Sequence, residues 1–270
     1  MPTLGRVGGV KTVFWLFMFL VGLAGVVIPL TYLYTASKLP RLESEFDVES
    51  QLRHRIEGDR MSVMVGRMDG GGSERARVAF SRPDFSRMPK DLVALYIRQM
   101  DCPTYFQTPR EDGRAWAWRL FAGVTFGTVP PGDGACERRL AMRIAREVGI
   151  EGTLPLSVAA HRLHAFFQKD QLIAYELSIL RFERGVIGVE DAARKLFGRE
   201  LAELQLSELA ELQLALPPYG FYSDLKTCKN SSLIRQNRDL LLQDLAGYSL
   251  VSEERARNAI AQPVACLSVK

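Results

Sequence analysis

The sequence predicts a mainly α-helical domain behind a single N-terminal membrane helix, and three observations lead there. Val13 to Tyr34 contains no charged residue. From Met88 onward, apolar residues recur at helical spacing in one stretch after another, each bounded by Gly, Pro or a capping residue. Strand-like alternation is scarce in that region and is confined to short runs before it.

The N-terminal segment comes first. About 20 apolar residues rising 1.5 Å each cross a hydrocarbon core of about 30 Å. Trp15 stands near one end and Tyr32 and Tyr34 near the other, as interfacial anchors do. Arg6 and Lys11 precede the run and place the N-terminus in the cytoplasm, although Lys38 and Arg41 reduce the asymmetry. The main domain is then periplasmic or extracellular, held at the inner (plasma) membrane. A cleaved signal peptide fits less well: its apolar run is normally about 7–15 residues, and Thr35-Ala36-Ser37 is a poor cleavage site. Pro29 is expected to kink the helix near its outer end.

These signals divide the chain into a cytoplasmic N-terminus (1–12), a transmembrane helix (13–34), a juxtamembrane connector (35–87), an α domain (88–265) and a tail (266–270). In the connector, LPRLESEFDVESQLRHRIEG predicts a short amphipathic helix after Pro40. The alternating MSVMV and RVAF, around Asp69-Gly70-Gly71-Gly72-Ser73, predict a β-hairpin or a flexible link. In the domain, DLVALYIRQM, ERRLAMRIAREVG, LSVAAHRLHAFF, KDQLIAYELSILRF, VEDAARKLFG and SELAELQLAL each predict a helix. Ser207 with Glu211 is read as a helix start, and Gly149 and Gly198 as helix ends.

Composition limits the function. The chain is 47% hydrophobic and 24% charged, ordinary for a folded protein. A net charge of +4, with no nucleic-acid motif, argues against DNA or RNA and suits a surface near anionic lipid. Cys102, Cys136, Cys228 and Cys266 match no zinc pattern. Outside the cytoplasm Cys102–Cys136 and Cys228–Cys266 are the sequence-nearest disulfides; four isolated, packed thiols are the alternative.

KDQLIAYEL (169–177), GVIGVEDAARKLFG (185–198), LAELQLSELAELQLALPPY (201–219), NRDLLLQDLAGY (237–248) and AIAQP (259–263) resemble the family-51 peptidoglycan glycosyltransferases, which polymerise lipid II into glycan strands. The resemblance covers Lys169 to Pro263. It implies a lysozyme-like, two-lobed transglycosylase-type fold. Gly185, Gly188, Ala192 and Ala193 would be the small residues that let helices approach closely.

The half that carries chemistry departs from the family pattern. The family's Glu-Asp pair falls on Met100-Asp101, its histidine on Gln107, and its second glutamate near Leu156. The Gly-rich hydroxyl and amide segment falls on Gly132-Asp133-Gly134-Ala135-Cys136-Glu137-Arg138-Arg139. Glycosyl transfer from a lipid diphosphate needs a base for the acceptor hydroxyl, and losing a positioned base costs ~10²–10⁴-fold. It also needs donors or cations for the leaving diphosphate. Methionine supplies neither.

Asp101, Glu111 and Glu137 are the acids placed to substitute, with Glu111-Asp112 reading equally as a surface loop. For substrate binding the resemblance points to Gly132, Gly134, Arg138, Arg139 and Lys169. Arg138 and Arg139, with Arg143 and Arg146 beyond, form either a phosphate or headgroup contact or a solvated helix face. His161 and His164 share a helix at i, i+3 without a partner carboxylate motif, so packing is the default over a metal site. Trp116 and Trp118 fit a sugar-lined groove or core packing.

The resulting expectation is a membrane-anchored, catalytically degenerate transglycosylase-like protein that binds or scaffolds in envelope assembly. The alternative is an active enzyme with relocated acids, which alone would bring in Mg²⁺ or Mn²⁺; no other cofactor is expected. The expected partners are membrane lipid, lipid II or a glycan strand, and other envelope-assembly proteins, with no nucleic acid.

Overall fold

The computed structural model describes residues 7–65, 84–110, 115–116, 118–119, 135–183, 186–216 and 219–265. Helix α1 (Val7–Lys38) runs through Pro29 without interruption. Many of its described apolar side chains, among them Phe14, Trp15, Phe19, Val26 and Leu30, are exposed. Among the described residues no helix is long and apolar enough to cross a membrane. The side chains of Phe17, Leu20, Val21 and Ala24 in α1 lie outside that set.

Helix α2 (Glu45–Val65) follows a short break at Pro40. Its entry is capped by Ser44, whose hydroxyl accepts from the Asp47 backbone N–H at 3.1 Å. The helix corrects the expectation for MSVMV: Met61 to Val65 continue α2 and are not strand. Five alternating residues do not outweigh a helix already nucleated before them, since each further residue adds a hydrogen bond at low entropic cost. Gly70 to Phe80, with the rest of the hairpin reading, lie outside the described residues.

The domain helices fall where the apolar periodicity put them, within a few residues. They are α3 (Lys90–Gln99), α4 (Ala135–Glu147), α5 (Thr153–Phe166), α6 (Lys169–Ile179), α7 (Val189–Phe197) and α8 (Leu206–Leu214). After these come α9 (Tyr222–Thr227), α10 (Ser231–Gly247) and α11 (Glu253–Ala261). Among the described residues the extended pairing is an isolated antiparallel bridge between Arg181 and Ile187.

Ser207 and Glu211 do not start α8. Gln205 is its N-cap, with its backbone N–H donating to Glu208 Oε2 at 2.9 Å. Ser207 and Glu211 are instead buried inside the helix. The reading failed because Ser-x-x-x-Glu places the acid one residue too late for a capping box, which needs it three residues on.

The helices bury two apolar clusters. One gathers Leu92, Leu95, Leu196, Leu209, Leu242 and neighbours from α3, α7, α8 and α10. The other gathers Ile144, Ala159, Leu163 and Phe167 with Leu42, Val48 and Leu52 from the α2 region. Helices α4 and α6 serve both. Leu140, Ile173 and Leu177 face the first cluster, whereas Ala141, Leu172, Tyr175 and Ile179 face the second. Helix α6 is therefore buried on several sides from Leu172 to Leu177. It is the spine on which the site below is built.

Gly188 shows how closely these helices approach. It precedes α7 with φ +84°, and a Cβ there would sit 2.6 Å from the carbonyl oxygen of Ser178 at the end of α6. Ala192 and Ala193 are fully buried beside it. Gly188→Ala is expected to lose more than about 2 kcal/mol, combining a left-handed backbone cost of ~1–2 kcal/mol with a backbone clash. Gly198→Ala, at φ +66° in open space, should lose only the backbone part. Urea unfolding of the two variants side by side checks this; equal losses would contradict the close-approach explanation.

The end of α1 is joined to α5. Thr35 and Ala36 are buried, and Tyr32 packs edge-on to Trp116, whose ring lies 4.0 Å from His161 in a stacked arrangement. Trp116 is thus a packing residue between two helices, while Trp118 is exposed.

Candidate functional site

Three of the residues singled out in the sequence, Glu137, His164 and Lys169, meet where α4, α5 and α6 converge. The first turn of α4 carries Cys136 and Glu137, and the last turn of α5 carries His164. The first residue of α6 is Lys169. Segment 100–110 crosses over them from the end of α3, and a disulfide between Cys102 and Cys136 ties that segment to α4.

Glu137 is the centre of the group and only 1% exposed. Its Oε1 lies 2.7 Å from Lys169 Nζ, and its Oε2 lies 2.7 Å from His164 Nε2 and 4.0 Å from Arg110 Nε. Burial alone would raise this carboxyl's pKa. The His164 and Lys169 groups outweigh burial and hold it below the ordinary carboxylate range. Lys169 Nζ also donates to the backbone oxygens of Tyr105 and Thr108 at 2.5 and 2.6 Å. Arg110 donates to the backbone oxygens of His164 and Phe167, and Tyr105 Oη to that of Lys169. The crossing segment is therefore hydrogen-bonded down onto the cluster from both ends.

A second polar group lies two turns along α6. Glu176 is 3% exposed, and its Oε1 accepts from Tyr96 Oη at 2.8 Å and lies 3.1 Å from Arg143 Nη1. Arg143 also donates to Tyr96 Oη at 2.8 Å, which closes a triangle across α3, α4 and α6. Burial pushes the Glu176 carboxyl up to about 7, with Arg143 and the Tyr96 hydrogen bond opposing and Glu147 adding to the rise. Burial also raises the Tyr96 phenol.

The pH consequence follows from the direction of the Glu176 shift. Native Glu176 keeps a proton that the unfolded chain releases near the ordinary value of 4.5, so its favourable contribution is complete below that pH. The contribution is lost as pH rises through about 7. Unfolding free energy should fall between pH 5 and pH 8, with Glu176 supplying about 2–4 kcal/mol of the fall. Glu176→Gln should flatten the profile by that amount in denaturant titrations; an unchanged slope would remove Glu176 as its source.

The other sequence candidates are placed as follows. Asp101 sits just past α3 at φ 56°, its side chain 86% exposed and 3.5 Å from Arg98. Met100 is half-buried against the first apolar cluster, Leu156 is buried in the second, and Gln107 is exposed. Arg139 donates to the Met100 backbone oxygen at 3.3 Å, and Arg138 is half-buried on the same helix. Glu111, Asp112, Gly132 and Gly134 lie outside the described residues. Cys228 is disulfide-bonded, and Cys266 lies outside the described residues.

The structure brings together Glu137 and Lys169 and leaves Asp101 on the surface. It adds Arg110, Tyr96 and Glu176, which sequence reasoning did not single out, and gives His164 and Arg143 partners that spacing alone did not show. His164 had been paired with His161 by spacing, but the two point to different neighbours. His161 stacks on Trp116 and His164 meets Glu137. Burial, followed by the nearby His164, lowers the pKa of His161. Among the described residues no cluster of three or more His, Cys, Asp or Glu is arranged to hold a metal ion.

Comparison with known proteins agrees with this architecture. Residues 151–246 match the family model described as Transglycosylase. Penicillin-binding protein 1A of Rickettsia typhi is 26% identical over 121 residues, covering 45% of this chain and 15% of that protein. Penicillin-binding protein 2a of Streptococcus pneumoniae is 28% identical over 134 residues, covering 48% of this chain and 18% of that protein. The chain thus spans less than a fifth of the length of these relatives. Residues 151–246, from α5 to α10, are thus similar to the transglycosylase family.

Proposed function

We propose that this chain is a membrane-anchored, catalytically degenerate peptidoglycan glycosyltransferase-like protein that binds lipid II or a glycan strand and scaffolds cell-envelope assembly. The observation that carries the reading is the state of the acids around the expected reaction centre. The family resemblance puts Met100 at the base position, and Asp101 stands outside on a surface pair with Arg98. Glu137 is buried, held ionised, and in contact with Lys169 and His164. A general base must reach the proton it removes and must have a pKa near the working pH. Asp101 faces solvent in a surface pair, Glu137 is enclosed by its own ion pairs, and Glu176, whose carboxyl is pushed up to about 7, is buried against Tyr96 and Arg143, so none of the three meets both conditions.

Lys169 and Arg110 are bonded to the chain's own carboxylate and carbonyls, so a diphosphate would have to be met by more exposed cations such as Arg139. Anchoring by α1 belongs to the same proposal, with the N-terminus cytoplasmic and the domain outside. It rests on the uncharged run Val13–Tyr34 and on the exposed apolar side chains along that helix.

Fluorescent lipid II titrated against the full chain in detergent tests the binding claim. Saturable binding, competed by unlabelled lipid II, is the expected result. No binding above that of a detergent-only control would sink the reading.

A further inference from the structure

The Cys102–Cys136 disulfide has surroundings that a purely structural crosslink does not need. Arg139 Nη2 lies 3.6 Å from Cys102 Sγ and 3.8 Å from Cys136 Sγ, so one guanidinium faces both sulfurs. Cys136 is the second residue of a 13-residue helix, where the helix dipole favours a negative sulfur. Both features stabilise thiolates, and a disulfide whose thiols have lowered pKa values leaves faster in exchange. The bond also joins two parts of the buried cluster. Cys136 adjoins Glu137, and Cys102 opens the segment whose Tyr105 and Thr108 carbonyls hold Lys169.

We propose that Cys102–Cys136 is a reducible latch that fastens segment 102–110 over the Glu137–His164–Lys169 cluster. Its co-reactant is an external dithiol. The thiolate of that dithiol attacks Cys136 Sγ, the less buried sulfur, while Cys102 is 2% exposed. The S–S bond breaks, and its electron pair leaves on Cys102 as a thiolate facing Arg139. The second thiol of the reductant, as thiolate, then attacks the mixed disulfide and releases Cys136 as a second thiolate. The reductant ends as its own disulfide, and protons lost by its thiols are shared between solvent and the two cysteines. With the latch open, segment 102–110 is held only by hydrogen bonds and ion pairs, so the cluster beneath it is uncovered more often. This latch stands independently of glycan binding.

The test equilibrates the full chain in detergent with dithiothreitol buffers of graded reduced-to-oxidised ratio, and reads Cys102 and Cys136 by alkylation and mass spectrometry. Hydrogen exchange of residues 103–110 is followed in the same samples. Arg139→Gln is expected to need about tenfold more reducing buffer to open the bond, with Arg139→Lys close to the wild-type midpoint. Exchange of 103–110 should quicken at least about tenfold once the bond opens, and equally in Cys102→Ser/Cys136→Ser without reductant. Equal midpoints for Arg139→Gln and wild type would overturn the proposal. Unchanged protection of 103–110 in the reduced chain would overturn it as well.

Discussion

Replacing Arg238 with methionine is expected to destabilise the domain by about 3–5 kcal/mol, the loss typical when a buried pair is left with one charge. Arg238 and Glu211 are both 0% exposed, and their side chains meet at 3.0 Å. The guanidinium also donates to the backbone oxygens of Ile260, Gln262 and Pro263, and to Asp239. It therefore fixes the end of α11 and the chain beyond it against α8 and α10. Burial pushes the Glu211 carboxyl up to about 7 even with Arg238 and the Ala265 backbone N–H opposing. Without Arg238 the carboxyl would rise further, so the variant should lose more stability at pH 8 than at pH 5. Arg238→Met/Glu211→Gln removes the orphaned charge and should recover part of the loss. If the double variant is as unstable as the sum of the singles, the two residues do not act as a pair.

Lys169→Met should have an effect of similar size, for a different combination of reasons. It leaves Glu137 buried with one fewer cation, and it strips the Tyr105 and Thr108 carbonyls of their shared donor. An uncompensated buried charge accounts for about 3 kcal/mol or more, and the Thr108 carbonyl adds about 1–3 kcal/mol where water does not replace the donor, whereas the Tyr105 carbonyl keeps the Thr108 hydroxyl. Segment 103–110 should become mobile while α8 to α11 stay protected, because the damage is local to one edge of the domain. Adding Glu137→Gln should restore stability in part and protection only weakly, since the carbonyls would still lack their donor. Denaturant unfolding gives the first quantity and hydrogen exchange the second. Global loss of protection, α10 included, would show that the cluster supports the whole fold.

The helices were readable because their cause is local. Apolar spacing of three and four residues marks α3 to α8 in the sequence, and Gly198 closes α7 in a left-handed conformation as a helix-ending glycine does. The close approach at Gly188 was readable from the resemblance, and its partner, the Ser178 carbonyl, only from the fold. The disulfide between Cys102 and Cys136 was one of two stated possibilities.

The site was less readable because its partners are distant in sequence. Glu137, His164 and Lys169 come from three helices, and Glu176 meets Tyr96 across 80 residues. Sequence identifies a glutamate but not its neighbours, so Glu137 read as a spare catalytic acid when cations in fact surround it. Arg143 read as part of a basic stripe, yet it turns inward to Glu176. Arg238 is fully buried, and nothing in NRDLLLQDLAGY distinguishes it from a surface arginine.

The central claim is that this transglycosylase-like domain holds glycan precursor without polymerising it. Labelled lipid II incubated with the purified full-length chain in detergent, with Mg²⁺ or Mn²⁺ supplied and an active family member alongside, tests this directly. The account predicts that the control makes glycan chains while this protein leaves lipid II unconverted at matched concentration. Glycan product that disappears in Glu111→Gln, Asp101→Asn or Glu137→Gln would contradict it and identify the acid that does the chemistry.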